Sequence, residues 1–127
     1  MNTPHTPKTV APPFGHYSHA VEISKGSRIL YTAGQVGAKP DGTIPNTIEE
    51  QAELCWQNLQ TILKHAGFEM KDIVKITTYL LSRDQGTAAM KARAKYLGDH
   101  RPASATIVAA ALGLPEWLIE IEAVAAQ

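Results

Sequence analysis

Residues 47–81, TIEEQAELCWQNLQTILKHAGFEMKDIVKITTYLL, decide how the chain folds. Thr47-Ile48-Glu49-Glu50 fits a capping box: the Thr47 hydroxyl can accept from the Glu50 amide, and the Glu50 side chain can reach back. Ala52, Cys55, Leu59, Ile62, Leu63 and Ala66 then recur at helical spacing, and Gly67 is placed to end the helix in a left-handed conformation. The segment 73–81 is rich in β-branched side chains. Along it Val74, Ile76, Thr78 and Leu80 share one face, and Lys75, Thr77 and Tyr79 share the other. A helix with one apolar stripe followed by a strand with one apolar face predicts a helix laid on a sheet.

Beyond this segment a second helix is expected from about Gly86 to Leu97, with Met90, Ala94 and Leu97 buried and Gly98 as its stop. Residues 103–110 (ASATIVAA) and 118–125 (LIEIEAVA) read as strands around a turn at Leu114-Pro115-Glu116. Toward the N-terminus lies a loop, 38–46, with the turn Pro40-Asp41-Gly42. Residues 18–24 (SHAVEIS) and 28–33 (RILYTA) flank Lys25-Gly26-Ser27 and are expected to pair as a hairpin. Pro and Thr make residues 1–14 an extended arm. The order β-β-α-β-α-β-β predicts a two-layer α+β domain over residues 1–127, with a mixed sheet and two helices on one face.

The bulk numbers exclude several function classes. Twelve basic and 12 acidic residues balance, so the chain carries no net charge to draw nucleic acid or an anionic membrane. A single cysteine, Cys55, excludes an internal disulfide framework. No apolar run approaches the roughly 20 residues that span a bilayer, and the N-terminus lacks an apolar core like a signal peptide's. A cytoplasmic location is expected.

No metal or cofactor signature is present. The five histidines are scattered, Gly34-Gln35-Val36-Gly37 lacks phosphate-loop spacing, and there is no G-x-S-x-G elbow. Cys55 falls on the helix stripe and reads as a small buried hydrophobe. Glu120 and Glu122 alternate with Ile119 and Ile121, so both carboxylates project from the sheet face opposite the helices. Lys75, Thr77, Tyr79, Ser104 and Thr106 are expected on that same face. Such a mixture is unlike a plain solvated surface and predicts an oligomer with a polar cleft at its interface. On a wet face the two acids are ordinary surface groups. Partly buried at an interface, a carboxylate would gain the raised pKa that acid/base chemistry uses.

Six stretches carry a resemblance through their order and spacing: 15–21 (GHYSHAV), 31–36 (YTAGQV), Glu50-Gln51 with Asn58-Leu59, 72–77 (DIVKIT), 101–104 (RPAS) and 118–123 (LIEIEA). Together they make the sequence similar to the RidA (YjgF) family from about Pro13 to Ala125. The resemblance implies a chorismate-mutase-like fold, a homotrimer around a central barrel, and ligand clefts between subunits. Known members hydrolyse enamines and imines such as 2-aminoacrylate and 2-iminopropanoate without a cofactor. By resemblance, Tyr17 matches the cleft tyrosine and Glu120 the acid that positions or activates water. Gly34 contributes backbone to the same cleft, and Ser104, Ala105 and Thr106 stand at substrate-binding positions.

The departure is as informative as the matches. The family's imine deaminases carry P-x-R-S, whose arginine grips the substrate carboxylate. Here Pro102-Ala103-Ser104-Ala105 puts Ser104 at the arginine position, and Thr106 stands where the family has a cleft cysteine. A bidentate guanidinium contact is lost there, and Arg101, three residues earlier, is not expected to substitute. The expectation is an imine or enamine deaminase-type hydrolase with a divergent substrate and weak or no 2-iminopropanoate activity. The alternatives are a non-catalytic small-molecule-binding or protein-interaction trimer, or another hydrolytic or lyase-like activity, such as on an aminomuconate-like dienoic acid.

Overall fold

A computed structural model describes residues 1–127. The elements are β1 (Thr3–His5), β2 (Ala20–Glu22), β3 (Ile29–Tyr31), β4 (Gln35–Val36), α1 (Ile48–His65), β5 (Ile73–Leu80), α2 (Gly86–Leu97), β6 (Ala103–Val108) and β7 (Ile119–Ala126). The main sheet runs β3-β7-β5-β6, with β4 also paired to β7. Only β5 and β6 are parallel; the α2 crossover between them makes this possible.

The helices lie on one face of that sheet, as the 47–81 segment predicts. Thr47 Oγ1 accepts the Glu50 amide at 3.3 Å, and Gly67 closes α1 with φ +81°. The core joins Cys55, Trp56, Leu59 and Leu63 of α1 to Ile76, Leu80, Ile119 and Ile121 of the sheet. Fully burying side chains of this kind stabilises by about 1.5–3 kcal/mol each. Trp56 is 0% exposed and stacks on Tyr96 of α2, ring centroids 6.0 Å apart, while its indole N–H has no acceptor. The Tyr96 hydroxyl and the Lys95 ammonium both donate to Glu53, at 2.7 and 2.5 Å, tying α2 to α1. Gln51, also buried, donates to the carbonyls of Pro45 and Glu116 and accepts the Leu118 amide, so its amide fixes the chain entering β7.

Three expectations are corrected. Strands β2 and β3 do not form a hairpin. β2 pairs with β1 of the N-terminal arm, and β3 pairs with β7, Leu30 opposite Ala125. The reason is the partner: β7 offers eight residues with every second one buried, whereas β2 has three residues and no buried one.

Second, α2 is turned by about one residue. Ala89, Ala92, Arg93 and Leu97 are buried, while Met90 is 42% exposed and Ala94 is also exposed. Small alanines let α2 approach its neighbours closely, which the longer Met90 would prevent.

Third, Ser104 and Thr106 face the helix side. The parallel register sets Ser104 opposite Ile76 and Thr106 opposite Thr78, both core-facing. Alternation in ASATIV does not say which parity points inward; pairing with β5 does. Ala105, opposite Thr77, takes the open face.

That open face carries Glu120 and Glu122 with Thr77 and Tyr79, as expected. Tyr31 and Ile107 are exposed there too. No helix is long and apolar enough to cross a membrane.

Candidate functional site

The open face holds the first group. Alternation along β7 brings Glu120 to this side, in register with Val36 of β4 and Tyr79 of β5. The chain between β3 and β4 passes directly over it. A Cβ built on Gly34 would lie 2.2 Å from Glu120 Oε2 and 2.9 Å from its Cγ. Any side chain at position 34 would therefore displace the carboxylate, and the glycine is a requirement of contact rather than of backbone conformation. Its neighbour Glu122 accepts the Tyr79 hydroxyl at 2.6 Å, an interaction that raises the tyrosine's pKa. No protein donor engages Glu120 in this way. Beneath the same loop, the Cys55 thiol donates to the Gln35 carbonyl at 3.3 Å. Burial, and secondarily the charge of Glu120, push that thiol up to about 12. Such a thiol is not a nucleophile at neutral pH.

The second group lies on the helix side, at the sheet edge. A cavity of about 680 Å³ opens between the 14–17 segment, α2 and β6. Tyr17, Ser104 and Thr106 line it. The Tyr17 hydroxyl accepts the Phe14 amide at 3.1 Å, which holds the ring against its own loop. Arg93 enters the cavity from α2. It is 7% exposed and donates from Nη1 to Ser104 Oγ at 2.6 Å and from Nη2 to the His16 carbonyl at 2.9 Å. Burial lowers its pKa from the ordinary arginine value.

Sequence reading missed Arg93. The only available signal was a lone arginine beside a supposed apolar stripe on an alanine-rich helix.

The structure thus brings Tyr17, Ser104 and Thr106 together, and brings Gly34 and Glu120 together, on opposite sides of the sheet. β6 and β7 are two strand spacings apart, or about 10 Å. Ala105 faces the Glu120 side.

Comparison with known proteins places the chain in a family. The pattern of the family described as Endoribonuclease L-PSP matches residues 8–127. The chain belongs to that family, the family of RidA (YjgF) proteins. Among its RidA-family relatives, a 2-iminobutanoate/2-iminopropanoate deaminase of Mus musculus is 34% identical over 115 residues, 89% of this chain and 82% of the relative. A RutC family protein of Pyrococcus horikoshii is 31% identical over 115 residues, covering 89% of this chain and 88% of the relative. The crystal structure of YyfB from Yersinia pestis, a protein of unknown function in the conserved Rid family, superposes with a TM-score of 0.88. It is 35% identical, with 99% of this chain and 98% of that one covered. The RidA fold expected from sequence is therefore the fold observed.

Proposed function

We propose that this RidA-family chain is a cofactor-independent hydrolase of imines or enamines that bear a carboxylate, acting as a trimer with its ligand in clefts between subunits. The observation that carries the reading is the Glu120 carboxylate, lying under Gly34 and free of protein donors. Such a carboxylate can accept a proton from water as the water adds to the C=N carbon. The proton passes on to the nitrogen, which restores the carboxylate; the carbinolamine formed then loses ammonia and leaves the 2-oxo acid, so the net reaction consumes one water and no cofactor. Tyr17 lines the cavity on the other side of the sheet and, brought in by a neighbouring copy, would orient the substrate. The deaminase activity in the name of the mouse relative supports this chemistry.

A trimer is part of the proposal because one chain separates its two groups of residues across the sheet. A cleft that uses both needs a neighbouring copy to bring Glu120 of one subunit toward the cavity of another. The exposed Tyr31 and Ile107 on the open face suit burial against such a copy. We read residues 1–127 as one domain acting in the cytoplasm.

The substrate is expected to differ from 2-iminopropanoate, because Ser104 replaces a guanidinium at the substrate-carboxylate position. The test generates 2-imino acids with an amino-acid oxidase and follows semicarbazone formation. Suppressed trapping of larger 2-imino acids, with weak or no effect on 2-iminopropanoate, is the expected result. No suppression with any imine would overturn the hydrolase reading. Turnover of 2-iminopropanoate matching the mouse relative would overturn the divergence. Light scattering at micromolar concentration should give three times the chain mass; a monomer would remove the intersubunit cleft.

A further inference from the structure

We propose that Arg93, reaching in from α2, is the anion-binding residue of this chain, and that with Ser104 it takes the carboxylate of a ligand whose apolar body fills the adjoining cavity. The proposal deepens the imine-hydrolase reading and rests on it for the identity of that ligand as a substrate.

The first argument is the guanidinium's own accounting. It is 7% exposed, yet its two contacts are to neutral acceptors, the Ser104 hydroxyl and the His16 carbonyl. The ion pairs of the chain are His5–Glu22, Lys71–Glu69 and Lys95–Glu53, and Arg93 belongs to none of them. A buried charge without a counter-charge is costly, and one kept in a cavity wall invites an anion. A guanidinium offers five N–H donors. Two are used here, which leaves three for a ligand. Ser104 accepts from Arg93, so its own hydroxyl hydrogen is free to donate beside them.

The second argument is the character of the cavity. Lys91 lines it with Arg93, and no acidic residue does. The chain as a whole has equal numbers of acids and bases, so this local excess is not a reflection of overall charge. A concave site with one sign of charge favours the opposite sign in its ligand. Phe14, Met90 and Leu97 supply apolar walls. At about 680 Å³ the cavity has more room than a three-carbon acid fills. An acid with a branched or longer apolar body suits it better.

Together these give the chain a guanidinium near Ser104 that comes from a helix instead of from the strand. Being tethered to Ser104 and His16, it would hold a carboxylate displaced into the cavity. That displacement favours longer acids over 2-iminopropanoate.

The decisive measurement is calorimetric titration of the full chain with 4-methylpentanoate and, separately, with 4-methylpentanamide, which matches it in shape and lacks the charge. The acid is expected to bind and the amide to bind at least about tenfold more weakly. Arg93→Met should lower the acid's affinity by about tenfold or more while leaving the weaker amide affinity within twofold. Arg93→Lys should recover part of it, because the charge returns without the fork. Equal binding of acid and amide by the unaltered protein would overturn the proposal even if Arg93→Met did not fold. So would an Arg93→Met chain of native circular dichroism that binds the acid unchanged. Acid binding through Arg93 with no imine turnover would keep this site and remove the hydrolase. Turnover whose KM ignores Arg93→Met would do the reverse.

Discussion

The cavity around Arg93 and the surface around Glu120 solve opposite problems with the same sheet. The first is assembled inside one chain: a helix, a strand and a loop converge on a guanidinium whose partners all belong to the same chain. The second is assembled by close approach alone, a loop glycine pressed on a strand carboxylate with one side left open. Each half gets its precision from a different source. Side-chain hydrogen bonds position the cation, whereas the absence of a side chain positions the acid.

Gly34→Ala should have the largest effect. The new Cβ would have to sit 2.2 Å from Oε2, so Glu120 must move. Imine turnover should fall by about 100-fold or more, with a melting temperature close to the parent's because Gly34 is exposed. Retained turnover would separate Glu120 from the chemistry. Glu120→Gln should cost turnover about 100-fold as well. It should not weaken 4-methylpentanoate binding, because the cation half does not need the carboxylate.

Ser104→Arg is the next test. It restores the deaminase pattern in sequence, but the new guanidinium would meet Arg93 at the position where Ser104 Oγ now lies 2.6 Å away. Two like charges there should destabilise the chain by about 1–3 kcal/mol, read as a lower denaturant midpoint. Gain of stability would mean that Arg93 swings freely. Ser104→Ala, which removes only one acceptor, should cost about 1 kcal/mol and weaken acid binding about threefold.

The smallest effect concerns the support behind α2. Hydrogen bonds from Lys95 and Tyr96 hold the Glu53 carboxyl below its ordinary pKa. A depressed carboxylate contributes stability above its unfolded value, and that contribution fades as pH falls through the folded one. Glu53→Gln should therefore cost less than about 1 kcal/mol at pH 7 and flatten the loss of stability below about pH 4. Unchanged acid sensitivity would place the relevant carboxylate elsewhere.

Most of the framework was legible because it is local. A capping threonine, a stripe at helical spacing and a terminal glycine mark α1. β-Branched alternation marks β5. What remained hidden depends on partners distant in sequence. Nothing within RILYTA says that β3 will prefer β7, nearly a hundred residues on, to its neighbour across Gly26. Nothing within ASATIV says which parity faces α2. The acid half of the site was legible because alternation with Ile119 and Ile121 exposes Glu120 to one side. The cation half was not, because Arg93 is ordinary in a helix until tertiary packing buries it beside Ser104.

Trp56 adds an optical consequence. Its indole is sealed in the core and stacked on Tyr96, three residues along α2 from Arg93. The other tryptophan of the chain, Trp117, packs over Gly113. Any tilt of α2 as the cavity fills would change the overlap of the Trp56 and Tyr96 rings and hence the fluorescence of Trp56. Ligand entry would then register as a change of light emission, without a label attached to the chain.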